Sequence, residues 1–177
     1  MTCPFDCAYL RDARLHEKPA LLDTEHLPNR DIRVKESLLE ENAQLLAFLM
    51  RALAAAALQT PGVVDFDVRD ALEALIRTYR TLESGIYYET RPENSLAREL
   101  FAALQTAVAE FRNREQQERG LSKTRDTDIL AILVFLQRLE LDRNNGRRRG
   151  RAFINMLDDL SREDAIAGLD RSRLVVP

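Results

Sequence analysis

The sequence predicts an all-α fold, an antiparallel helical bundle of about four long helices with short helices toward the N- and C-terminal ends. Three observations carry this. Apolar residues recur at steps of three and four along nearly the whole chain. Only 6 Gly and 6 Pro occur in 177 residues, too few for the many tight turns of a sandwich or barrel. The run from Ile129 to Leu136 is apolar all round, which suits a helix at the centre of a bundle.

The elements follow in order. Pro4 suits a first helical turn, Asp6 favours its positive end, and Pro19 stops it, so a short helix is expected from Pro4 to Lys18. Residues 20–30 then read as a connector. A second helix begins between Asp31 and Ser37, where Ser37 and Glu40 have capping-box spacing. It runs to Gln59 with Leu38, Leu45, Leu46, Leu49 and Leu53 on one stripe, and Pro61-Gly62 ends it. Asp65-Phe66-Asp67 leads into a third helix, with Val68, Leu72, Leu75, Tyr79, Leu82 and Ile86 inward and Pro92 as its breaker. The alternation from Val63 to Val68 also fits a short strand.

Asn94 or Ser95 caps a fourth helix, with Leu96, Leu100, Leu104, Val108 and Phe111 inward. Its polar end, Arg112 to Arg119, belongs on the surface, and Gly120 marks its stop. Thr124 or Asp126 caps the fifth, apolar helix, which Asn144-Asn145-Gly146 ends. A sixth, short helix carries Phe153, Ile154, Leu157 and Leu160. The domain is therefore residues 1–160. Residues 161–177 form a loosely packed tail with one weak helical turn around Ile166 and Leu169.

Charge excludes a polybasic nucleic-acid binder as a whole-molecule description, because the formal net charge is −3. The charge is uneven. Residues 1–90 hold 10 Lys/Arg against 15 Asp/Glu, and residues 91–177 hold 16 against 14, so a basic site belongs in the second half. The greasiest stretch, Leu45 to Leu58, contains Arg51 and is shorter than the roughly 20 apolar residues that span a bilayer. The opening residues carry Asp6, Asp12 and Glu17 rather than a basic-then-apolar leader, and a cytoplasmic protein without membrane association is the expectation.

Catalytic signatures are missing. There is no G-x-x-x-x-G-K-[ST] phosphate loop, no G-x-G-x-x-G turn and no G-x-S-x-G elbow. Neither H-E-x-x-H nor E-x-x-H occurs, which argues against a zinc hydrolase and a di-iron bundle. The sequence leans toward a non-enzyme.

Three clusters remain. The loop Arg143-Asn144-Asn145-Gly146-Arg147-Arg148-Arg149-Gly150-Arg151 puts five arginines in nine residues with no acid among them. Arginine forks onto carboxylates and phosphates through paired hydrogen bonds. Arg143, Arg147, Arg148, Arg149 and Arg151 thus form an anion- or partner-binding candidate, unless Glu140, Asp142, Asp158 and Asp159 neutralise them internally. No aromatic residue interleaves the arginines, which disfavours single-strand stacking.

A second candidate is a polar pocket from Tyr79, Tyr87, Tyr88, Glu89 and Arg91, for which edge-of-core tyrosines are the plainer explanation. A third is Cys3 and Cys7, one helical turn apart near a helix N-terminus, where thiolate is favoured. With His16 and His26 they could make a Cys₂His₂ zinc site, although His16 would lie about 13 Å further along a continuous helix. Asp65, Asp67 and Asp70 could suggest a divalent metal, but helix capping explains Asp67 with Asp70 more simply.

The expected function is a non-enzymatic helical protein-interaction module acting on a protein partner or by self-association as a homodimer. The alternatives are a nucleic-acid or phosphate-binding accessory protein using loop 143–151, and a thiol or metal protein centred on Cys3 and Cys7.

Overall fold

The computed structural model describes residues 27–86 and 88–173, with side chains described as far as Arg162. These residues form six helices: α1 (Glu36–Glu41), α2 (Ala43–Gln59), α3 (Asp65–Glu83), α4 (Ser95–Arg119), α5 (Asp126–Arg143) and α6 (Ala152–Arg173). The fold is all-helical, with no strand among the described residues. The alternation at Val63 to Val68 is therefore a helix entry and not a strand. The helix expected from Pro4 to Lys18 lies outside the described residues.

Asn42 divides what the leucine spacing reads as one helix. Its backbone leaves the helical region at φ −110, ψ 22, and separates α1 from α2. Lys35, not Ser37, is the N-cap of α1, so the Ser37–Glu40 capping box does not form. Beyond the break, α2 is rich in Ala and Leu, both strong helix formers. Leu45, Leu49 and Leu53 turn to the core, while Leu46 stays half-buried.

The third helix stops earlier than Pro92 suggests. Gly85 sits at φ +77. Its N–H donates to the Leu82 carbonyl (2.9 Å), and the Ile86 N–H donates to the Thr81 carbonyl (3.0 Å). This is a Schellman closure, which needs a left-handed residue just past the helix end. Ile86, expected inward, is consequently 65% exposed. Extended chain then returns along α3. The Thr81 hydroxyl donates to the Tyr88 carbonyl, and the Thr90 N–H donates to the Thr78 hydroxyl (3.0 Å each). Asn94 caps α4 by accepting the Leu96 N–H at 2.9 Å, and Gly120 at φ +77 ends it, both as the sequence indicates.

The helix expected to be short and to end near Leu160 runs on to Arg173. Phe153, Ile154 and Leu157 are buried, but Leu160 is largely exposed, which corrects its inward placement.

Besides the consecutive pair α3 and α4, packing joins helices that are not neighbours in sequence. α3 packs against α5 and α4, while α2 packs against α4 and α6. α5 is the most enclosed helix, with six successive residues, Ile129 to Val134, essentially removed from water. Its outer side is covered in part by residues 27–34. Asn29 donates to Gln137 (2.8 Å) and accepts from Arg80 (2.8 Å), Arg80 also grips Asp31, and Arg138 donates to the Asn29 and Ile32 carbonyls. Asn29 is left-handed at φ 56, a conformation that asparagine tolerates better than most residues.

Glu140 of α5 is fully buried. Arg69 of α3 meets it with Nε at 2.8 Å and Nη2 at 3.0 Å, a forked pair. Burial raises the Glu140 carboxyl above its ordinary range, and Arg69 opposes that rise.

Two outcomes follow from this packing. Gly85→Ala should destabilise the protein by about 1 kcal/mol in urea unfolding, from backbone strain alone, because a Cβ there would touch nothing within 4 Å. Arg69→Ala should cost about 3 kcal/mol by leaving a buried carboxylate unpaired. Adding Glu140→Gln to that variant should recover part of the loss.

Candidate functional site: the arginine loop

The connection from α5 to α6 is a built loop. Asn144 Nδ2 donates to the Glu140 and Leu141 carbonyls (3.0 Å each), closing the end of α5, while its Oδ1 accepts the Gly146 N–H at 2.9 Å. Asn145 Oδ1 repeats the pattern with the Arg147 N–H at 3.1 Å. Such side-chain-to-backbone bonds are why asparagine initiates turns. The Gly150 N–H then donates to the Arg147 carbonyl at 2.9 Å. Two glycines are needed here for different reasons. Gly146 is left-handed at φ 68. Gly150 is crowded, since a Cβ on it would lie 2.3 Å from Asn145 Oδ1.

Asp65 fastens this loop to the bundle. Its N–H donates to the Gly150 carbonyl (2.9 Å), and its carboxylate accepts the Phe153 and Ile154 N–H groups (3.2 Å each). The first residue of α3 thus caps α6, satisfying donors that a helix start leaves unpaired. Asp67 caps its own helix by accepting the Val64 N–H at 2.8 Å and also accepts from Asn94. Asp70 is exposed and lines a separate surface cleft with Glu73 and Glu93. The three aspartates therefore have separate surroundings. Among the described residues, no group of three His, Cys, Asp or Glu is arranged to hold a metal ion.

The five arginines divide by role. Arg143 pairs with Asp142 at 3.0 Å. Arg151 is half-buried, and its Nη2 donates to the Ala57 carbonyl in the last turn of α2 (3.3 Å), where a cation complements the helix dipole. Arg147, Arg148 and Arg149 are exposed. Of the acids near the loop in sequence, Glu140 pairs with Arg69, Asp142 with Arg143, and Asp158 with Arg162 at 2.6 Å, while Asp159 is exposed. Arg148 and Arg149 have no ion pair among the described residues.

Beside the loop lies a cleft of about 380 Å³, bounded by Arg147, Arg149, Asn145, Ala152, Asn155 and Leu58. Leu58, near the end of α2, is 49% exposed. Phe66 is 37% exposed one residue past Asp65, so it belongs to the same end of the bundle, and the Arg69 guanidinium lies 4.7 Å from its ring centroid.

The other sequence candidates stand apart. Tyr79 is nine-tenths buried on α3 as part of the core. Tyr88 is 66% exposed in the extended chain after α3, Glu89 and Arg91 pair with each other, and Tyr87 lies outside the described residues. Tyr88 thus departs from the core, while Gln105, which lines a cleft with Tyr79, donates to Glu89 at 3.4 Å. Cys3, Cys7, His16 and His26 all lie outside the described residues.

Sequence reasoning missed Asp65 as the loop's fastener and missed Leu58 and Asn155 as its neighbours. Asp65 reads as a helix-start residue, which it is, but its partners lie 88 and 89 residues away. Compared with known protein families, curated proteins and solved structures, the chain matches none. Among the described residues, no helix is long and apolar enough to cross a membrane.

Burial raises the Asp65 carboxyl above the ordinary value of 3.8, with the Ile154, Phe153 and Ala152 N–H groups opposing. A raised carboxyl favours folding most when protonated. The stability difference between wild type and Asp65→Asn should therefore favour wild type most at the acid end. It should shrink as pH rises through the raised value, as read from urea midpoints across pH. Asp65→Ala should cost about 2 kcal/mol by orphaning two buried N–H groups.

Proposed function

We propose that this chain is a non-enzymatic helical interaction module that docks an acidic segment of a protein partner on its arginine loop. The observation that carries the reading is the state of Arg148 and Arg149. They are solvent-exposed and have no ion pair among the described residues, while Glu140, Asp142 and Asp158 are paired with other arginines. An exposed arginine without an internal acid can fork onto a carboxylate from outside the chain.

A protein partner is favoured over nucleic acid on three grounds. The net charge of −3 opposes a polyanion. The arginines lack interleaved aromatic rings for base stacking. The nearest exposed ring, Phe66, already lies against Arg69.

The test uses a short glutamate-rich peptide and a single-stranded oligonucleotide of matched length, followed by fluorescence anisotropy. The peptide should bind in a salt-sensitive way, and Arg148→Ala with Arg149→Ala should weaken it about tenfold, the loss expected for two rim contacts. Preferential binding of the oligonucleotide, lost in the same variant, would replace this reading with the nucleic-acid one. A salt-sensitive dimer in sedimentation, lost in that variant, would place the acidic segment on a second copy of the chain.

A further inference from the structure

We infer that the cleft beside the arginine loop recognises an aliphatic side chain adjoining the acidic residues of the partner, so that the ligand is an acidic-apolar peptide and not a generic anion. This rests on the acidic-partner reading above and adds the feature that would select among acidic segments.

The argument starts from Leu58. A single exposed leucine is ordinary on a protein surface. Leu58 is different in position. It is an aliphatic wall of a concave space of about 380 Å³ whose other walls carry Arg147, Arg149, Asn145 and Asn155. That volume lies in the range of sites that enclose a ligand group. Its chemistry is mixed, with one apolar surface and cations beside it. A free phosphate or carboxylate would use the cations and leave Leu58 wet. A purely apolar side chain would cover Leu58 and Ala152 but strip water from the arginines without replacing it, which costs free energy.

A leucine or isoleucine flanked by glutamate satisfies both. The aliphatic group covers Leu58 and Ala152, and the carboxylate meets Arg149. Arg148, on the same turn but outside the cleft lining, remains for a second acid. Asn155 gives the lining an exposed amide group that can pair with a peptide backbone.

The shape of the cleft does not depend on the ligand. Gly150 admits Asn145 to its position, Asp65 ties Gly150 to α3, and Arg151 ties the loop to the end of α2 one residue before Leu58. The apolar wall and the cationic wall are therefore held in register by bonds internal to the fold.

The experiment compares three synthetic peptides of equal length on the full chain: glutamates with alanine, glutamates with one central leucine, and glutamines with the same leucine. Each is measured against wild type and Leu58→Ser. The glutamate-leucine peptide should bind wild type about tenfold more tightly than the glutamate-alanine peptide, as burial of one aliphatic side chain implies. Leu58→Ser should erase that difference while leaving the glutamate-alanine affinity unchanged. The glutamine peptide should bind weakest.

Equal affinity of the two glutamate peptides for wild type would overturn the cleft inference and leave the arginine reading standing. No binding of either glutamate peptide would overturn both. Leu58 is half-exposed at a helix end, so Leu58→Ser is expected to fold. Unchanged thermal unfolding confirms this, and Leu58→Asn, a second polar replacement of the apolar wall, should lose the preference for leucine in the same way.

Discussion

The carboxylate of Asp65 is the joint on which this molecule turns. Asp65 sits out of water where two chain segments far apart in sequence meet. Through its N–H it holds the arginine loop, and through its oxygens it holds the start of α6. A buried carboxylate is expensive unless its lone pairs are met. The two helix-start N–H groups meet them, and those N–H groups would otherwise be orphans themselves. Each group's cost is thus offset by the other. The geometry that results fixes where α6 begins, and with it where the arginines before it stand.

The same logic recurs elsewhere in the polar interior. Glu140 and Arg69 join α5 to α3, and Asn29 with Arg80, Gln137 and Arg138 joins residues 27–34 to those two helices. Helix faces made of Leu, Ile and Ala can slide against one another with modest penalty. Forked and multi-centre hydrogen bonds cannot, because a small shift leaves buried groups unmet. In this bundle the apolar core supplies the cohesion, and these few polar joints set the register.

Much of the helical content was legible from local pattern. The stripe Val68, Leu72, Leu75, Tyr79 marks α3, the all-apolar run Ile129 to Leu136 marks α5, and Asn94 and Gly120 mark the ends of α4. These signals are local, since a helix is made of bonds four residues long. The break at Asn42 and the long continuation of α6 were less legible because no proline or glycine announces the one, and the polar run from Ser161 hides the other. The arginine cluster was visible as composition, but its division was not. Whether Arg151 binds the α2 terminus or Arg148 faces solvent depends on chain segments that sequence spacing cannot bring together. Internal pairing holds for Arg143, which meets Asp142, while Glu140 is taken by Arg69, a partner distant in sequence.

The pairing of α2 with α4 and α6, and of α3 with α5, has a consequence for how the chain comes together. A bundle of simple hairpins can assemble two helices at a time as they are made. Here α2 cannot complete its apolar contacts until α6 arrives, roughly a hundred residues later, and loops of that span carry an entropic cost before any contact repays it. The half-built chain therefore carries an uncovered face on α2 for most of its synthesis. The arginine loop is made just ahead of the helix that covers that face. Ordering of the arginine loop and closure of the core over α2 are thus the same late event.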